Sequence, residues 1–110
     1  MSSKNEVNSA YNLNNKLLRE FEKGLIGEGL KDKTITSYFN AIIDFDFYLM
    51  YVGNDWQSIS EEDYIIYAEM LSRRGIEKIS IKRRISRIRR FKEFYEKNID
   101  VSNIKFSYFG

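Results

Sequence analysis

The stretch ISIKRRISRIRRFKEFYEK, residues 79–97, decides the fold. On a wheel of about 100° per residue, Ile85, Ile88 and Tyr95 fall within about 40° of Ile81. Lys82, Arg83, Ser86, Arg87, Arg89 and Arg90 occupy the opposite arc, while Arg84 and Lys92 sit at the edges of the apolar stripe. The spacing predicts a helix with one face in a core and the other strongly cationic. Glu77 is the only acid between residues 73 and 92, so the bases have almost no i,i+4 partner and repel one another. Five of the six bases from Lys82 to Arg90 are arginine, whose forked donors match phosphate or guanine as an ammonium does not. The outward arc is therefore expected to meet a polyanion, and Arg84 and Lys92 to snorkel or pair within the protein.

The rest of the chain sharpens the contrast. Residues 1–72 hold 6 Lys+Arg against 12 Asp+Glu, whereas residues 73–110 hold 12 against 4. The overall charge of +2 hides this asymmetry, which points to a nucleic acid or an acidic protein facing the second half. Three further helices are expected upstream. Leu13, Leu17, Leu18, Phe21 and Leu25 share one helical face that ends at Gly27 and Gly29. A second helix opens near Asp32 as N-cap, carries Ile35, Tyr38, Phe39, Ile42, Phe45 and Leu49, and stops at Gly53. Ser60 to Asp63 reads as a capping box for a third, with Tyr64, Tyr67, Ala68 and Leu71 inward and Gly75 as its stop. The pattern is all-α, a small four-helix orthogonal bundle. Residues 1–11 are expected to be flexible and residues 12–100 to form the domain.

The 110 residues suffice for one domain with a modest core. Without cysteine there is no disulfide and no thiolate metal site, and without histidine the usual general base and the commonest metal ligand are missing. No cofactor and no metal are expected. Glu61, Glu62 and Asp63 point in different directions around a helix and serve its positive N-terminus rather than a cation. No run of about 18 apolar residues is present, and the polar start lacks the apolar core of a signal peptide, so a cytoplasmic protein without membrane contact is expected. Gly27 and Gly29 follow no strand and make no phosphate loop.

The segments LKDKTITSYFNAIIDFDFYL, WQSISEEDYIIYAEML and GIEKISIKRRISRIRRFKEFYEKN together resemble the core-binding domain of tyrosine recombinases, the phage integrases and Xer-like resolvases. Thr34 and Tyr38 match that family's Thr and Tyr four apart in the second helix, and Trp56 its Trp ahead of a capped third helix. Ser80, Ile81, Arg83, Arg84, Ile85 and Ser86 match its Ser-Ile-x-Arg-Arg-Leu/Ile-Ser helix. The resemblance spans residues 13 to 100 and implies a SAM-like bundle forming one arm of a clamp around duplex DNA. It implies DNA contacts by Ser80, Lys82, Arg83, Ser86, Arg87 and Arg90 of helix four, and by Lys33, Thr34, Thr36, Ser37 and Asn40 of helix two. It also implies neighbouring recombinase protomers as partners and a separate C-terminal catalytic domain, missing from these residues, towards which 101–110 would lead.

Three departures from the family pattern stand out. Lys31, Asp32 and Lys33 replace a usual Ser-Pro, and Asp44 stands where a base is common. Asp46 falls inside the apolar stripe of helix two where the family prefers Leu. A buried carboxylate needs a partner, and Arg84 or Lys92 of helix four is the expected one. The tyrosines, Tyr108 included, have no histidine to activate them and read as core and helix-flank aromatics, so the chain is not expected to be an enzyme by itself. Trp56 reads as a loop anchor. The competing reading is a protein-interaction module whose basic helix binds an acidic partner, favoured by Phe47 and Tyr51 on an outward arc. RNA is disfavoured because no aromatic platform accompanies the bases.

Overall fold

The structure, a computed structural model, describes the backbone of residues 15–109 and the side chains of 16–98. The expectations for residues 1–11, Leu13 and the Tyr108 side chain lie outside the described residues. Four α-helices and no strand occur among the described residues: α1 (Asn15–Gly27), α2 (Asp32–Val52), α3 (Glu61–Arg73) and α4 (Lys78–Phe109), with a 3₁₀ turn at Trp56–Ser58. The helix α4 packs against each of the other three, so the 79–97 stretch is the axis of the bundle.

Local chemistry sets most of the boundaries. Gly29, Gly53 and Gly75 adopt φ of 83°, 75° and 88°, a left-handed geometry that side chains disfavour, and each closes a helix. The capping box forms: Asp63 Oδ2 accepts from the Ser60 backbone N–H at 3.0 Å. Asp63 also accepts from the Tyr48 hydroxyl at 3.1 Å and from Asn54 Nδ2 at 3.0 Å, so the cap of α3 fastens the preceding loop to α2. Asp32 does not cap α2; Lys31 is the N-cap, without a side-chain bond, and Asp32 lies inside the first turn, where its charge meets the helix dipole. The helix α4 starts at Lys78, two residues before Ser80, and its backbone continues through the segment expected to lead onward.

The core is aromatic. Phe45 lies edge-on to Tyr67 with centroids 5.0 Å apart, Phe91 is edge-on to Trp56 at 5.0 Å, and Phe21 of α1 meets Phe91 at 5.0 Å. Trp56 is buried completely, the loop anchor expected of it. The apolar stripe of α4 differs in one respect from the wheel. Phe91, at about 280°, is fully buried, whereas Ile85 is only half-buried. The stripe therefore centres nearer Ile88 and Tyr95, because aromatic rings from α1 and the 3₁₀ turn fill that side.

Asp46 is fully buried, but its expected partner is corrected. Its Oδ1 accepts from Trp56 Nε1 at 2.8 Å, not from Arg84 or Lys92. Arg84 reaches Asp44 instead, and Lys92 Nζ donates to the Trp56 backbone carbonyl at 2.6 Å. A short aromatic donor from the adjoining loop satisfies the carboxylate where a long cation from α4 was expected. Asp46 Oδ2 has no hydrogen-bond partner.

Burial, partly offset by the Trp56 hydrogen bond, pushes the Asp46 carboxyl up from 3.8 to about 6. A raised value means that folding favours the protonated form. The stabilisation is complete below the unfolded value and is lost as pH rises through about 6. Relative to Asp46→Asn, wild-type stability should therefore fall by up to about 3 kcal/mol between pH 4 and 7. Urea unfolding of both proteins across that range checks this, and a pH-independent difference contradicts it.

Candidate nucleic-acid interface

The cationic arc of α4 is sorted by the fold into bases paired with acids of other elements and bases left unpaired. Arg89 forms a forked pair with Glu61 at the start of α3, Nη1 to Oε2 at 2.6 Å and Nη2 to Oε1 at 2.8 Å. Its guanidinium also lies 4.3 Å from the Tyr64 ring centroid. The fork holds the Glu61 carboxyl below its ordinary value and Arg89 above its own. Arg90 donates to the Tyr38 hydroxyl at 3.1 Å and pairs with Glu28 in the α1–α2 turn. Arg84 and Arg74 converge on Asp44 Oδ2 at 3.5 and 3.6 Å, and the Tyr67 hydroxyl donates to the same oxygen at 2.5 Å. Asp44 thus joins α2, α3 and α4 rather than opposing a ligand.

What remains outside is the first part of the helix. Lys78, Lys82 and Arg83 are exposed and in no ion pair among the described residues, and Ser86 is exposed beside them. Ser80 is half-buried. Arg87 is half-buried with its guanidinium 5.4 Å from the Tyr38 ring centroid, a contact that orients it while leaving its donors unspent. On α2, Lys33, Thr36 and Asn40 are exposed and Thr34 and Ser37 half-buried, and the Ser37 hydroxyl donates to the Lys33 carbonyl at 3.1 Å.

Tyr38 is the junction of the two sets, since it touches both Arg87 and Arg90. Between Tyr38 and Asp44 on α2, the α4 partners step back from Arg90 to Arg84, so the helices run antiparallel along this seam. Lys33 and Thr34 consequently extend from the junction towards one end, and Arg83 and Lys82 towards the other. Of the eleven positions, five thus lie on α2 and six on α4, on either side of the Tyr38 junction that holds Arg87 and Arg90. Sequence reasoning missed Glu28 and Glu61, whose partners lie 62 and 28 residues away, and did not single out Lys78.

A family model for the phage integrase N-terminal SAM-like domain matches residues 18–98. The chain belongs to that family. No curated protein and no solved structure matches it. The match takes in all of α2 and α3 and the described side chains of α4, and its SAM-like description agrees with the four helices seen.

Burial pushes Tyr48 and Tyr64 up to about 12 and Tyr67 higher still, opposite to the activation that a nucleophile needs. Among the described residues no group of acidic side chains is arranged to hold a metal ion, and no helix is long and apolar enough to cross a membrane.

The two classes of base should separate in stability measurements. Asp44→Ala strands the buried Tyr67 hydroxyl and should cost about 1–3 kcal/mol, whereas Arg83→Ala should stay within about 0.5 kcal/mol of wild type. Urea denaturation of both variants distinguishes them, and equal losses contradict the sorting.

Proposed function

We propose that this SAM-like domain is the DNA-binding module of a phage or mobile-element integrase, holding core-site duplex DNA through α2 and α4. The observation that carries the reading is the unspent cationic run Lys78, Lys82, Arg83 and Arg87 on a helix whose Arg84, Arg89 and Arg90 are paired with acids of other elements. A solvated helix does not keep like charges together without reason, and family membership supplies the polyanion. In this reading residues 12–100 are the core-binding unit, acting in the cytoplasm beside neighbouring protomers, with strand cleavage assigned to a separate catalytic domain.

Mechanistically, the N-terminal part of α4 approaches the major groove and Lys82, Arg83 and Arg87 displace condensed counterions. Thr34, Thr36 and Asn40 donate to the neighbouring phosphates and set the register, and Ser37 joins them once its hydroxyl leaves the Lys33 carbonyl. Arg83 is the exposed fork available to a guanine edge. Arg90 starts out engaged with Glu28 and Tyr38 and must leave an internal carboxylate before it can take a phosphate.

With about four phosphates neutralised, affinity for generic duplex should fall with a log–log salt slope of about −4, roughly 200-fold between about 50 and 200 mM salt. Amide shifts in an NMR titration should cluster on Lys33–Asn40 and Ser80–Arg90. Arg83→Ala should lower affinity and shrink the slope by about one, while Glu28→Gln, which releases Arg90, should tighten binding several-fold at low salt. Shifts confined to Phe47 and Tyr51, or none at either salt, overturn the reading.

A further inference from the structure

We infer that the groove between α3 and α4 is a docking site for an acidic amphipathic helix of a protein partner. The groove is open, about 650 Å³, and floored by Ile65, Ala68, Ile76, Ile81 and Ile85. Ile65 is 60% exposed, so an apolar side chain of a short helix faces water where a partner helix would cover it. The α4 edge carries Lys78 and Lys82, one turn and about 6 Å apart along the axis. Both are exposed and in no ion pair among the described residues. The α3 edge carries Glu69 and Ser72, so the two rims differ in sign.

This arrangement selects its occupant. A duplex offers phosphates to lysines but nothing to an isoleucine floor. A small ligand would need convergent buried polar groups, and among the described residues the one buried side-chain atom without a partner, Asp46 Oδ2, lies in the core. A helix with apolar side chains at i, i+3, i+4 and i+7 fills the floor. Carboxylates four residues apart on the flank facing α4 meet Lys78 and Lys82 in register, and a base on the other flank meets Glu69. Lys78 and Lys82 also belong to the cationic run assigned to DNA under the proposed function, so an occupied groove withdraws two cations from DNA.

The test uses a synthetic helical peptide of about 20 residues, with leucines at that spacing, glutamates on one flank and lysines on the other, and a counterpart with the two flanks exchanged. Amide shifts of the full chain should cluster on Ile65–Ser72 and Lys78–Ser86 with the first peptide. The exchanged peptide should bind about tenfold more weakly or worse, and Lys78→Glu combined with Lys82→Glu should reverse that order. Ile65→Ser, at an exposed position that leaves the circular-dichroism spectrum unchanged, should abolish the shifts while retaining the response to duplex DNA. Unmoved groove amides, equal binding of both peptides or unimpaired binding by Ile65→Ser overturns the inference. Groove shifts that follow protein concentration alone also overturn it, in favour of a second copy. A wild-type chain that answers the peptide but not DNA overturns the DNA reading only.

Discussion

The bond from the Trp56 indole to the Asp46 carboxylate is the constraint around which the bundle is arranged. It places a complete aromatic side chain from the loop between the α2 and α4 sides of the core, with its one polar atom satisfied by the one buried carboxylate. Phe45 and Phe91 then meet the indole edge-on, at 5.5 and 5.0 Å. Lys92 holds the backbone carbonyl of the same residue from α4. A core built of leucines would have tolerated sliding of α4 along α2. The Trp56–Asp46 bond instead fixes the loop on α2, and the Lys92 bond to the Trp56 carbonyl ties α4 to that anchor, so a slip of α4 strands a largely buried amine. The cost is a carboxyl whose ionisation burial disfavours, raised to about 6, and the benefit is a defined seat for the loop against which α4 packs.

That position determines which bases work outside. Glu61 and Glu28 lie at element ends, where they meet Arg89 and Arg90 only because α4 crosses α3 and the α1–α2 turn at those heights. Asp44 collects Arg74 and Arg84 in the same way. Acids of the first half thus pair with Arg84, Arg89 and Arg90, and leave Lys78, Lys82, Arg83 and Arg87 without an ion pair among the described residues. A net charge of +2 is therefore compatible with a locally strong positive field.

The departures from the family pattern acquire physical meaning in this setting. Asp44 looked like an obstacle to an anionic ligand on α2, yet it faces inward and accepts from Tyr67, so its charge is consumed by the bundle. Asp46 looked like a buried charge in need of a cation, and found an indole donor instead. Asp46 takes the nearest donor within reach rather than a long cation, whereas Asp44 sits where Arg74, Arg84 and Tyr67 converge. The wheel of α4 placed Ile81 and Ile88 correctly and left out Phe91, because a wheel centred on aliphatic spacing is blind to rings contributed by other elements.

The sequence by itself determined the helices, their glycine stops, the capping box, the anchor role of Trp56, the two-faced character of residues 79–97 and the family, since all of these depend on neighbours within about one or two turns. It also determined that Asp46 is buried, through its place on the α2 stripe. The tertiary structure alone decided which donor satisfies that carboxylate, which arginines are neutralised, and where α3 and α4 leave an apolar groove between charged rims. Those depend on contacts between residues far apart in the chain, such as Glu28 with Arg90, whose distance is set by how helices cross and not by any spacing along the sequence.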